Sequence, residues 1–198
     1  MMREPPVGRV LVASLHEAIS EVLPERLGFY ENWLSAEGMR GGTIGAAATL
    51  AVLSFLRQES AYGAIVNRAG EYAADWTVQS MRPSRRTVTG ALPEGLRRRV
   101  LLGHAGSVVR SSYEGSRSQS RFRRDGAEVN IHGSPFCLVR EPVSSPLCGY
   151  YAALFARTLE LFGMRSPVAI ASCRGTGADA CALTLSCATL SASEAEVA

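Results

Sequence analysis

The stretch Ser118–His132, SQSRFRRDGAEVNIH, is where the chain changes its period. Before it, apolar residues recur every three or four positions; within it they alternate. Arg121 and Arg123 take turns with Ser120 and Phe122, and beyond Asp125-Gly126 the residues Val129 and Ile131 take turns with Glu128, Asn130 and His132. Alternation places successive side chains on opposite faces of a strand. Asp-Gly between two alternating runs predicts a hairpin, because both central turn residues need positive φ. A two-residue turn pairs Arg123 with Glu128 and Phe122 with Val129, so that charge meets charge on one face and apolar meets apolar on the other.

Outward from the hairpin, the upstream half reads as helices. Ser14 caps an amphipathic segment carrying Leu15, Ile19 and Val22, with Glu17 completing a capping box and Pro24 limiting its length. Thr43 caps a largely apolar helix to about Arg57, and Ser60 starts another in which Tyr62, Ile65, Ala69, Tyr72 and Trp76 form one stripe. Pro83 and its neighbouring arginines mark a loop, and Pro93 opens a helix to about Val109 with His104 on its apolar side. Downstream, Ser145 caps and Pro146 begins a helix whose apolar face (Tyr151, Leu154, Phe155, Leu159, Phe162) ends at Gly163. Val168–Cys173 and Ala180–Cys187 read as two further strands. The predicted fold is α/β in the α+β sense: a helical N-terminal half followed by a mixed antiparallel four-stranded sheet with a helix packed on it.

The 198 residues, 46% of them hydrophobic, suffice for one core, predicted over residues 1–190 with a small, acidic tail at 191–198. The longest apolar run, Thr43 to Leu56, is interrupted by Gly45 and Ser54 and falls short of the about 20 residues that span a bilayer. No signal peptide is legible, and a cytoplasmic protein is expected. All 21 basic residues are arginine, a bias that reflects genome composition more than a partner. The arginine clusters at 85–86, 97–99 and 117–124 lack a nucleic-acid-binding scaffold or stacking aromatics, so a solvated surface is expected rather than a nucleic-acid site.

Four of the five cysteines fall where the fold can gather them. Cys173 and Cys181 flank the turn of the second hairpin, Cys148 lies in the first turn of the preceding helix, and Cys137 follows the first hairpin. Thiolates suit zinc, and four of them would close a tetrahedral structural site. The alternative is a set of buried reduced thiols. Cys187 lies outside the pattern and reads as core.

The same residues carry a family resemblance. Gly133-Ser134-Pro135-Phe136-Cys137, then Cys148-Gly149-Tyr150-Tyr151-Ala152-Ala153, then Ser172-Cys173-Arg174-Gly175-Thr176-Gly177-Ala178-Asp179-Ala180-Cys181 resemble the 4-vinyl reductase domain family, which shares its fold with the TRAPP vesicle-tethering subunits. The resemblance covers about Ser118 to Leu185 and implies a domain that binds a small, mostly apolar or aromatic molecule between helices and sheet, often as a homodimer through its helical half. It implies zinc held by Cys148, Cys173 and Cys181 together with a carboxylate at the position of Ile170. Ile170 cannot ligate, so either Cys137 supplies the fourth ligand or the site is incomplete.

Within that frame the expected function is a free-standing sensory or carrier domain, not an enzyme. Its ligand pocket would be lined by Tyr62, Tyr72, Trp76, His104, Tyr151 and Phe155. Two alternatives remain open at this stage: an accessory or reductase role in tetrapyrrole (bacteriochlorophyll) biosynthesis, and a TRAPP-like interaction module. No nucleotide-binding fingerprint supplies a hydride source, and the glycines of Arg174–Gly177 lie between two strands, where turn geometry explains them. No catalytic triad order or HExxH motif is present.

Overall fold

The computed structural model describes residues 7–123 and 126–186. Eight helices of four or more residues and four strands follow one another among these residues. The helical half contains α1 (Arg9–Val22), α2 (Leu27–Glu31), α3 (Ala36–Gly41), α4 (Ala46–Leu56), α5 (Tyr62–Gln79), α6 (Pro83–Ala91) and α7 (Glu94–Ser112). The hairpin β1 (Arg117–Arg123) and β2 (Gly126–His132), helix α8 (Gly149–Glu160) and the pair β3 (Val168–Ser172) and β4 (Cys181–Ser186) complete the chain. The strands form one antiparallel sheet in the order β1-β2-β4-β3. The predicted class, a helical half followed by a four-stranded antiparallel sheet, is the one observed.

The core lies between the sheet and a layer of three long helices. Val129 and Ile131 of β2 and Leu183 and Leu185 of β4 turn inward to meet Tyr151, Leu154, Phe155 and Leu159 of α8, all buried. The other side of α8 packs along α5, and α5 in turn packs along α1. The α5–α8 crossing is close because of Gly70, where a Cβ would stand 2.2 Å from the Tyr150 carbonyl oxygen. Asp75 and Arg157 join the same two helices at the surface through a 2.9 Å ion pair.

Several predicted boundaries move. Ser14 is not a cap; it is buried inside α1, and its hydroxyl donates to the Leu11 carbonyl. Helix α4 begins after Gly45, because the Thr43 backbone N–H bonds back to Gly38. Pro83 opens α6 instead of marking a loop, since a first helical position leaves its missing N–H without consequence. Helix α8 begins at Gly149, beyond Pro146, because the preceding residues are drawn toward Cys173.

The hairpin register also differs. Arg123 pairs with Gly126, Phe122 with Ala127 and Arg121 with Glu128, two residues away from the predicted pairing. A shift of two preserves the faces, whereas a shift of one would invert them. Arg123 still reaches Glu128 at 2.7 Å, now diagonally. Asp125 and Cys187, and the predicted tail at 191–198, lie outside the described residues.

Candidate metal centre

Four elements each deliver one sulfur to a single point. Cys137 ends a short helical turn (Pro135–Cys137) after β2, and Cys148 is the last residue before α8. Cys173 follows β3, and Cys181 is the first residue of β4. Cys137 Sγ lies 3.3 Å from that of Cys148 and 3.5 Å from those of Cys173 and Cys181, and Cys148 Sγ is 3.4 Å from that of Cys173. All four sulfurs lie within 4.8 Å of one another, and all four residues are buried. A zinc–sulfur bond of about 2.3 Å implies a tetrahedron with edges of about 3.8 Å, close to these separations. No other group of three or more His, Cys, Asp or Glu donors with this proximity occurs among the described residues.

The surrounding backbone is arranged for negative sulfur. The Leu147 N–H donates to Cys173 Sγ and the Arg174 N–H to Cys181 Sγ, each at 3.3 Å. Hydrogen bonds from the Cys137 and Cys148 thiols, together with the Arg174 N–H, bring the Cys181 thiol down to about 4. Cys148 moves the opposite way, because its hydrogen bonds to Cys137 and Cys181 and its burial favour the protonated thiol.

The helical half holds the loops that carry these sulfurs. Arg57, at the end of α4, donates to the Phe136 carbonyl at 3.2 Å, and Tyr62, opening α5, donates to the Leu147 carbonyl at 3.3 Å. The Val143 N–H bonds the Gly175 carbonyl at 2.8 Å, tying the loop before α8 to the β3–β4 turn. Gly175 itself leaves room for Leu147, whose Cδ1 would stand 2.8 Å from an added Cβ. Gly177 has φ of +95°, the left-handed conformation that ends the turn. Ile170, partly buried, pairs with Leu183 in the sheet and offers no ligand, and Cys137 lies where the four-sulfur set closes.

The six predicted ligand-lining residues do not surround one cavity. Tyr151 and Phe155 are fully buried, and Tyr151 packs edge-on against Phe136 and Tyr150. Tyr62 holds the Leu147 carbonyl beside the cysteines. Tyr72 stacks on Trp76 and donates to Glu21 on the outer side of α5. His104 stands apart, on an open groove between α6 and α7. Sequence reasoning missed Arg57, Leu147 and Arg174 as supports of the cluster, since two of them act through backbone N–H groups that carry no residue signature.

No protein-family model matches the chain, and no curated protein matches it. Among solved structures, the crystal structure of an H-NOX protein from S. oneidensis in the Fe(II)NO ligation state covers 90% of this chain and 97% of its own, at 12% identity and a TM-score of 0.51. That likeness is one of fold. It corrects the resemblance to the 4-vinyl reductase domain family, because the structural neighbour belongs to a different family. The tetrapyrrole and TRAPP-like readings rested on that resemblance.

The four thiolates suit a bare tetrahedral ion. Tyr150, Tyr151, Phe136 and Phe155 are all fully buried in the core.

Proposed function

We propose that the protein is a small-molecule sensory domain whose helical half and sheet are joined by a structural zinc ion held by Cys137, Cys148, Cys173 and Cys181. The convergence of four buried sulfurs from four separate elements carries this reading. Four thiolates leave no open coordination position, which is the arrangement of a structural site and not of a hydrolytic one. The fold shared with the H-NOX protein supports the sensory role. No helix among the described residues is long and apolar enough to cross a membrane. A reducing compartment such as the cytoplasm keeps four such thiols available for a metal.

Native mass spectrometry before and after chelation tests the reading. One zinc per chain, lost on chelation with a fall in thermal stability, is the expected result. A chain that carries no metal after growth with added zinc, and whose melting does not respond to zinc, would overturn it. The same spectra report whether a homodimer forms, which this reading assigns to the helical half.

A second reading places iron in the same four-thiolate site, because tetrahedral sulfur coordination accepts iron as well as zinc. Iron–thiolate charge transfer colours the protein, whereas zinc leaves it colourless. The absorption spectrum of the purified protein therefore decides between them.

A further inference from the structure

The groove between α6 and α7 lies outside the metal centre and has a different chemistry. Its volume is about 780 Å³, within the range of small-molecule sites. Met81, Val88, Leu92 and Val100 make its apolar lining, and Val88 is 63% exposed, an unusual state for an apolar side chain beside three others. The side chains of Arg82 and Arg85 stand on the same groove with no ion-pair or hydrogen-bond partner among the described residues, and no carboxylate lines it. His104 contributes a buried Nε2 that has no hydrogen-bond partner. Its ring is hydrogen-bonded to the Thr77 backbone and lies near Arg85, and burial lowers its pKa.

We infer that this groove binds an anionic amphiphile, a small carboxylate or phosphate attached to a hydrocarbon body. The hydrocarbon would cover Val88, Leu92 and Val100, and the headgroup would meet Arg82 and Arg85. Two unpaired guanidinium groups beside an apolar surface favour a negative headgroup over a neutral one, and guanidinium forks match carboxylate and phosphate geometry. The groove offers no Phe, Tyr or Trp ring on which successive nucleobases could stack, so an amphiphile fits better than a nucleic acid strand. This inference deepens the sensory reading by naming a ligand class, and it is independent of which metal the cysteines hold.

Titration calorimetry of the metal-loaded protein with decanoate and decyl phosphate, with decanol and decyltrimethylammonium as controls, tests it. Both anions should bind with one site per chain and at least tenfold more tightly than either control. The double substitution Arg82→Ala, Arg85→Ala removes only exposed, unpartnered side chains, and it should weaken both anions at least tenfold while zinc content and melting temperature stay unchanged. Val88→Asp, which puts a carboxylate into the groove, should have the same effect on binding. Vesicles of phosphatidylglycerol separate a free amphiphile from a membrane lipid: binding to vesicles without binding to decanoate would overturn the inference. So would equal affinity for decanol, or a double variant within twofold of the parent. Loss of the metal with retained anion binding would count against the zinc reading alone.

Discussion

Replacing Cys137 with serine tests the proposed metal site at the sulfur that lies within 3.5 Å of the other three. Cys137 and Cys148 are eleven residues apart in sequence, so a metal that bridges them closes a short loop between β2 and α8. Closing a loop of that length is worth about 3 kcal/mol by the chain-entropy relation for covalent cross-links. In a domain of this size 1 kcal/mol moves the melting temperature by about 2–4 °C, so Cys137→Ser should lower it by roughly 6–12 °C. The assay is differential scanning calorimetry of parent and variant, each loaded with zinc and each stripped by a chelator. Because the variant also changes a buried side chain, the informative quantity is the difference of differences: the gap between parent and variant should be wide with zinc and narrow without it. A gap of equal width in both conditions would refute the reasoning, because it would show that Cys137 acts as a packed thiol and not as a ligand.

Metal uptake at neutral pH should release protons, because a metal takes thiolates while hydrogen bonds to Cys137 and Cys181, and burial, hold Cys148 as the protonated thiol. Calorimetric titration with zinc in two buffers of different ionisation enthalpy counts them, and affinity should fall as pH falls, since protons compete for the same sulfurs; release of no protons would contradict a thiolate site. Gly70→Ala should destabilise the fold by about 1–3 kcal/mol, because its Cβ would meet the Tyr150 carbonyl at 2.2 Å and force α5 away from α8. Gly63→Ala on the same helix meets nothing within 4 Å and should stabilise by about 0.5–1 kcal/mol, so urea unfolding that ranks the two variants equally would show that the helix crossing is looser than described.

The parts of the structure legible in the sequence are those where a side-chain pattern and a backbone need coincide. The change from helical to alternating period at Ser118 located β1 to within one residue, and the alternation of Val129 and Ile131 named the buried face of β2. Positive φ at Gly163 made the end of α8 readable as well. Helix α6 was missed for the opposite reason. Only Thr89 of its nine residues is buried, so no large apolar side chain marks its inner face, and its proline suggested a loop. The start of α8 was misplaced because the residues that delay it answer to Cys173, twenty-six positions beyond Leu147 in sequence. The predicted ligand residues lie apart for a related reason. They were gathered by the pocket that a family resemblance implied, whereas packing sends Tyr151 and Phe155 into the core and leaves His104 on another face.

The same physics decides how the cysteine cluster itself is to be understood. Buried cysteines behave as small hydrophobes, and as such they need no particular neighbours. Here one sulfur touches three others at 3.3–3.5 Å, an arrangement that dispersion between side chains of this size does not require. A disulfide would draw two sulfurs to about 2.05 Å and leave the other two without a purpose. Two backbone N–H groups aimed at sulfur add a further cost for neutral thiols, which are weak acceptors, and a benefit for thiolates. Several thiolates together can be tolerated in a buried site only beside a cation, and no side-chain cation is hydrogen-bonded to any of the four sulfurs among the described residues. The proposed ion would supply the positive charge that four thiolates at this distance call for.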